Sequence, residues 1–384
     1  MSTTKQNKED ESNTVNGVMT DVQVIERVLA HIDNKTTDIG KQTWQEPTAH
    51  YESTQRFEQE NELLKKTPLM MCPSAAIPKH GSYVARDVQG VPLLVVREKN
   101  GKAKAFRNAC RHRGVKVASG TGRKTSFACP YHAWTYGTDG ALKVIPHEQG
   151  FPQVKKCDKS LVSVKTFETQ GVIFVCLDDE NYIDTLSVLP ELVPEGYRLH
   201  EQTTADVPAN WKTIIESFIE GYHIKATHPK SFFPVQYDNL NVIDHFGPHN
   251  RVCYPYRSVE KLRERPKNQW KAENRLTYVY QLFPNVIIST HPGFRVITSI
   301  EPIAADKSIQ TNFIVTNVDT SCEEKSRLLE EAIALANSSI DEDRAMIYGA
   351  QAGLAAKANE HLEFGLYESA IVHFHTNLKK MLEG

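Results

Sequence analysis

Four residues in the first half of this 384-residue chain could do chemistry by their type and spacing: Cys110 and His112, then, after sixteen intervening residues, Cys129 and His132. The two segments, Cys110-Arg111-His112-Arg113-Gly114 and Cys129-Pro130-Tyr131-His132-Ala133-Trp134, each supply one thiol and one imidazole. Thiolates combined with imidazoles select zinc, copper or iron–sulfur chemistry, whereas carboxylate cages select magnesium or calcium. Farther on, Glu220, His223 and His228 lie close together, and Asp341, Glu342 and Asp343 form an acidic run.

The pairing narrows the soft options. Zinc fingers usually place Cys with Cys at one end and His with His at the other. One of each on both loops fits a [2Fe-2S] cluster with two His on one iron and two Cys on the other, the Rieske arrangement. Two neutral imidazoles in place of thiolates reduce the cluster's negative charge and raise its potential. A Cys2His2 zinc site is the alternative. Arg113-Gly114 after the first His, and Tyr131, Ala133 and Trp134 around the second, resemble the Rieske loops of the aromatic-ring-hydroxylating oxygenase family.

A second metal site is expected in the stretch Asn210 to Pro229. Ile214, Ile215, Phe218 and Ile219 give it a helical apolar stripe. Glu220 and His223, three apart, share a helix face, and His228 falls off that face on a straight helix. Gly221 and Pro229 favour a distortion or helix end that lets the two imidazoles converge. Two His and one carboxylate on one side of an iron leave the opposite positions open, the facial triad of non-haem Fe(II) oxygenases. The carboxylate must come from elsewhere, and Asp341, Glu342 and Asp343 on a predicted helix offer three candidates. The pair Glu342-Asp343 with the later Gln351-Ala352-Gly353-Leu354 is similar to the oxygenase family's Glu-Asp and Gln-x-Gly-Leu pattern. That match points to Asp343, with Asp341 as runner-up and Glu342 expected to face another way.

The resemblance covers most of the chain after about residue 45 and implies an activity. It implies the large (alpha) subunit of a Rieske non-haem iron oxygenase, using O2 as co-substrate. Mononuclear Fe(II) is then held by His223, His228 and Asp343, and the cluster by Cys110, His112, Cys129 and His132. It further implies a homotrimer, or a dimer of trimers, in which the cluster of one chain sits beside the iron of the next. Glu220 would bridge them as His132–Glu220–His223. Glu in place of the Asp of many ring dihydroxylases resembles the branch that oxidises choline, betaines and carnitine. The chain shows no flavin or nicotinamide fingerprint, so electrons are expected from a separate NAD(P)H-dependent reductase, with or without a ferredoxin. The substrate is a small organic molecule, aromatic or quaternary ammonium. A demethylating monooxygenase of the same family and a non-catalytic Rieske electron carrier are the other readings. Two departures stand out: a long N-terminal extension, and Leu69-Met70-Met71-Cys72 where a Trp often precedes the Rieske domain.

The remaining sequence describes how such sites are carried. A net charge of −2 argues against nucleic acid or an anionic membrane surface as partner. No apolar run is long enough to span a bilayer, and the polar opening residues lack a signal core. Five further Cys are scattered without a disulfide pattern, which favours a cytoplasmic setting. Residues 1 to about 18 read as disordered. Helical spacing marks Val22–Ile32 and Glu52–Lys65, and short β-like runs divided by turns follow from about Pro68 to Asp178. Later runs, Leu276–Leu282, Val286–Ser289, Phe294–Pro302 and Ile309–Val318, read as strands. Cys322–Ala356 and Glu363–Leu382 read as helices. The expected class is α+β: residues 1–45 a tail and helix, 46–180 an antiparallel β Rieske domain with its preceding helix, and 181–384 an antiparallel sheet flanked by helices, a helix-grip, START-like catalytic domain. Phe232, Phe233, Tyr237, Tyr254, Tyr256, Trp270, Tyr278 and Phe283 are candidates to line a substrate pocket. Ordinary packing is the simpler reading for each, as it is for His245, His249, His291, His361, His373 and His375.

Overall fold

The computed structural model describes residues 17–383, so most of the opening stretch read as disordered lies outside the described residues. At its edge the expectation is corrected, because Val18 is buried. Helix α1, Asp21–Asn34, starts on a capping box in which Thr20 and Gln23 satisfy each other's backbone N–H groups. Its buried stripe is Val24, Ile25, Val28 and Leu29. Helix α2 covers Thr54–Lys66.

Two seven-stranded antiparallel sheets carry the two candidate sites. In the first, the strands run in the order 69–73, 172–176, 163–169, 103–107, 91–97, 82–88 and 120–123. A three-stranded sheet of Ser126–Ala128, Thr135–Gly137 and Leu142–Val144 stands beside it. Phe127, Trp134 and Tyr136 share a separate apolar cluster with Leu94, Val96 and Phe106 of the large sheet. The small sheet is thereby fixed where it flanks the second Cys/His loop. The region Leu69–Cys72, noted as a departure, is a fully buried strand.

The second sheet orders its strands 198–207, 307–316, 294–304, 286–291, 276–282, 249–255 and 242–246. Helices α3, Trp211–Phe218, and α4, Ile224–Thr227, follow its first strand. The long helix α5, Glu323–Leu354, lays Leu329, Ile333 and Ala336 against Phe294, Val296 and Ile314 of the sheet. Helix α6 spans Ser369–Glu383. The architecture is α+β, with an antiparallel β unit followed by an antiparallel sheet packed by helices.

Two details differ from the sequence reading. The segment ahead of α6 is a strand, His361–Phe364, paired antiparallel with Trp44–Pro47. The expected helix therefore begins at Ser369 rather than Glu363. Residues 46–66, grouped with the first unit by sequence, pack on the second: Tyr51 reaches Glu216, and Glu60 reaches Trp211 and Lys212. The main apolar core runs through both units, and Arg86 locks them together through Glu301 at 2.7 Å and the Met70 carbonyl at 2.6 Å.

Candidate metal centres

The two Cys/His loops have one backbone design. In the first, Cys110 N–H donates to the Val115 carbonyl and Gly114 N–H returns to the Cys110 carbonyl; in the second, Cys129 N–H donates to Trp134 and Ala133 returns to Cys129. Each loop closes through a left-handed residue, Gly114 at φ 81° and Ala133 at φ 53°. At Gly114 such a φ comes without steric cost. The hydrogen bonds hold the Cys inside and turn the His outward: Cys110 and Cys129 are buried, His112 is half-buried and His132 is exposed.

Tyr136 anchors the first loop, its hydroxyl contacting Cys110 Sγ at 3.3 Å and accepting from Arg111 N–H at 2.9 Å. Burial pushes the Cys129 thiol above its usual range, and Cys110 adds to this, while the N–H groups of Tyr131 and His132 are directed at the sulfur and oppose the shift. Such N–H donors are what a metal-bound thiolate needs. The His112 and His132 rings lie 4.7 Å apart, and His112 stacks on Trp134 at 4.9 Å. Partial desolvation, then His132 and Arg113, lower the His112 pKa and favour the neutral imidazole that binds metal. Two buried sulfurs beneath two outward imidazoles fit a [2Fe-2S] cluster with its His-ligated iron at the surface.

The second centre is made by a broken helix. Helix α3 stops at Phe218, where the Tyr254 hydroxyl donates to the Phe218 carbonyl at 2.8 Å and approaches the Glu220 carbonyl at 3.1 Å. A side chain at Gly221 would put Cβ 2.4 Å from Asn241 Oδ1, so only glycine passes this corner. The single-turn α4 then begins after His223 and ends at His228, and the two imidazoles bracket it. Their rings lie 5.1 Å apart.

Asp343 of α5 meets both. Its Oδ1 is 2.9 Å from His228 Nε2 and 3.5 Å from His223 Nε2, and one donor atom of each residue lies within 4.8 Å of the others. His228 Nε2 is buried and has no hydrogen-bond partner of good geometry, as suits a nitrogen whose lone pair serves a metal. Burial works to lower the pKa of both imidazoles, yet carboxylates overcome it: Glu220 and then Asp343 at His223, Asp343 and then Glu342 at His228. This surplus of negative charge matches a divalent cation.

Each imidazole also has a carboxylate behind it. His223 Nδ1 hydrogen-bonds Glu220 Oε1, whose other oxygen accepts from Tyr222 and His223 N–H. His228 Nδ1 is 2.8 Å from Glu342 Oε2, which also accepts from the Ser231 hydroxyl. Glu342 therefore does not face away as expected: it leaves α5 about 100° round from Asp343, and its longer side chain reaches the far nitrogen of the same ring. The sequence reading weighs Glu342 only as an alternative metal ligand and does not single out Ser231 at all. The runner-up Asp341 pairs with Arg344 at 2.8 Å and points to solvent.

A cavity opens from the three candidate donors. Phe218, Phe232 and Tyr254 supply aromatic walls, Ile224, Val279, Val296 and Ile340 aliphatic ones, and Gln236, Thr277, Ser289 and His291 a polar wall. Burial brings His291 down to about 4, which keeps it neutral. Of the eight aromatics proposed from sequence, Phe232 and Tyr254 line this cavity, whereas Phe283, Tyr278 and Trp270 belong to the core or its margin.

Family comparisons agree with this geometry. The Rieske [2Fe-2S] domain family matches residues 67–169, and the catalytic domain of the ring hydroxylating alpha subunit family matches 194–384. The chain belongs to the Rieske oxygenase alpha subunits. Within that family it is similar to the carnitine monooxygenase oxygenase subunit of Escherichia coli K12, 26% identical over 368 residues, 89% of this chain and 95% of that protein. It is 32% identical over 206 residues to the carnitine monooxygenase oxygenase subunit of Acinetobacter pittii PHEA-2, which is 51% of this chain. The chain spans about half the length of that Acinetobacter relative, 55%. The fold resembles a solved quaternary ammonium Rieske monooxygenase, CntA, with TM-score 0.76 and 23% identity over 90% of this chain and 96% of that one.

Proposed function

We propose that this chain is the terminal oxygenase of a Rieske system acting on a small quaternary ammonium substrate. The observation that carries the reading is the His223–His228–Asp343 triad opening onto a cavity with three aromatic faces. His223, His228 and Asp343 would hold Fe(II), and Cys110, His112, Cys129 and His132 a [2Fe-2S] cluster, and together these groups would supply O2 binding and the two electrons. The overall balance is R–H + O2 + 2 e⁻ + 2 H⁺ → R–OH + H2O, and hydroxylation of an N-alkyl carbon leads on to C–N cleavage.

The chain's own residues position and exclude. Glu220 and Glu342 fix the tautomers, each accepting from Nδ1–H so that Nε2 turns to the metal. Phe218, Phe232 and Tyr254 give the cavity an aromatic wall, and the Tyr254 hydroxyl is taken up by the Phe218 carbonyl. Aromatic faces attract an alkylammonium by cation–π contact. Among the described residues lining this cavity there is no Lys or Arg, and Glu220 and Asp343 are its acidic groups. That balance favours a cationic headgroup over an aromatic acid. The carnitine-oxidising relatives support the same class.

In this reading the working unit is a homotrimer in which one protomer's cluster meets the next protomer's iron through His132–Glu220–His223. Exposed aromatics on both surfaces suit such docking: Tyr131 beside His132, and Tyr222 with Tyr367 over Glu220. Electrons come from a separate NAD(P)H-dependent reductase, with or without a ferredoxin, which places the system in the cytoplasm. Among the described residues no helix is long and apolar enough to cross a membrane. The test is a panel of betaines, carnitine, choline and aromatic acids with a surrogate reductase. Oxygen uptake coupled to oxidation of the quaternary ammonium compounds is expected. Coupling to aromatic acids alone would overturn the substrate class, and no oxygen uptake with any donor would overturn the oxygenase.

A further inference from the structure

A second cavity shares Ser217, Glu220, His223 and Asp343 with the aromatic one. Glu216, Glu220 and Glu368 line it together with His223 and Asp343. Glu216 is buried in the cavity wall and is the inner end of a chain of titratable groups. Its Oε1 is 2.8 Å from His375 Nε2; His375 Nδ1 is 3.5 Å from Glu46 Oε2; and Glu46 Oε1 is 2.7 Å from His50 Nδ1. The His375 and Glu46 side chains are 1% and 4% exposed, whereas His50 is 35% exposed. The groups alternate between carboxylate and imidazole from surface to cavity.

We propose that His50, Glu46, His375 and Glu216 form a proton relay from solvent to the oxygen-activating site. The proposal rests on the oxygenase reading, whose balance consumes two protons for each substrate hydroxylated. It also answers a geometric need. Glu220 lines this same cavity, so seating a neighbour's cluster over Glu220 covers the cavity's direct opening and leaves a lateral route to supply it.

The relay balances without electrons. His375 takes a proton at Nδ1 from Glu46, across a 3.5 Å approach that shortens for the transfer while Glu46 Oε2 also accepts Trp44 Nε1–H at 2.8 Å. It releases the one at Nε2 to Glu216, and a ring reset restores the starting tautomer. Glu46 is refilled from His50, and His50 from water. Glu216 delivers its proton across the cavity, which has room for water. The other groups facing His375 favour this assignment. Tyr51 donates to Glu216 at 2.7 Å and is a fixed donor, because burial and then Glu216 raise its pKa well above the ordinary value. Lys212 is neutralised by Glu60 at 2.9 Å, and Glu368 lies across the cavity. His375 thus lies between two buried carboxylates, and a single shared proton lowers the cost of burying both. Its ring is held between Trp44 at 6.4 Å and Phe364 at 5.5 Å, nearly parallel to both.

The test uses the full-length iron-loaded protein, reduced and mixed with O2 and a substrate that the wild type oxidises. His375→Gln keeps hydrogen bonding without a through-ring transfer, and His50→Gln removes the entry. About a tenfold or larger fall in single-turnover rate is expected for each, the scale of a lost general acid–base group. Iron content and KM should hold, the solvent isotope effect should rise, and added imidazole should restore His50→Gln. Infrared difference spectra on reduction should show a buried carboxyl band that Glu216→Gln abolishes. Wild-type rates and isotope effects in both His variants would overturn the relay. If His375→Gln loses its iron, His50→Gln at the surface decides. If the wild type itself fails to consume O2, the oxygenase reading falls, and the infrared band alone judges the relay.

Discussion

Glu342 and Asp343, neighbours on α5, hold opposite nitrogens of one imidazole: Glu342 Oε2 lies 2.8 Å from His228 Nδ1 and Asp343 Oδ1 lies 2.9 Å from His228 Nε2. A single helical step thereby supplies both a metal donor and the group that orients another donor. Ser231 closes the arrangement by donating to Glu342, one residue before Phe232 of the cavity wall.

Glu342→Gln should therefore loosen the mononuclear iron while sparing the cluster. A lost partner behind a ligating His typically weakens metal binding 10–100-fold, so a loss of about that size is expected in a chelator competition. The visible spectrum of the cluster should not change.

Glu220 has a separate duty in this account. It contacts His223 Nδ1 and, through its second oxygen, the Tyr222 and His223 N–H groups. Glu220→Gln should weaken the mononuclear iron as Glu342→Gln does, and, with Fe(II) restored to wild-type occupancy, should still slow reoxidation of the reduced cluster by O2 and substrate about tenfold or more. Stopped-flow absorbance of the cluster measures this, and a wild-type rate would remove Glu220 from the electron path.

Phe232 packs edge-on to His228, ring centroids 5.0 Å apart, and lines the cavity. Phe232→Leu keeps most of the volume and removes the π face. With cation–π contacts at desolvated sites contributing on the order of 1–2 kcal/mol, KM for a quaternary ammonium substrate should rise roughly five- to thirtyfold. KM for a neutral isostere with a carbon in place of nitrogen should move much less.

Acid sensitivity has an identifiable source in His249. Its Nε2–H donates to the Thr185 carbonyl and its Nδ1 accepts Phe283 N–H at 2.8 Å, a pattern only a neutral ring satisfies. Burial brings its pKa from 6.5 to about 4. The unfolded chain thus takes up a proton near pH 6.5 that the folded chain refuses until about pH 4. The stabilisation is complete above pH 6.5, falls as pH drops through that window, and amounts to about 3 kcal/mol. His291 and His373 behave alike. His249→Gln should lower stability at neutral pH and flatten the fall of the urea midpoint between pH 7 and pH 4 by about a third.

What could be read from sequence followed from range. The Cys110/His112 and Cys129/His132 loops are local, so spacing alone carried their chemistry, and the strand Leu276–Leu282 keeps the bounds its apolar run suggested. The break near Gly221 was readable as well, although the crowding by Asn241 that enforces it was not. Glu342 was misjudged because its partner His228 lies 114 residues away, and helix phase alone says nothing of side-chain reach. Glu363 and Phe364 read as helix because their strand partners, Gln45 and Trp44, sit at the other end of the chain. His375 looked ordinary for the same reason: Glu46 and Glu216 come from distant elements.

The most direct test of the two-centre account is metal analysis of purified wild type beside Asp343→Ala. The account predicts about three irons per wild-type chain, two with the sulfide of a Rieske cluster and one mononuclear. It predicts about two in Asp343→Ala, with the cluster spectrum intact and turnover abolished. Zinc in place of iron, or equal iron in both proteins, would contradict it.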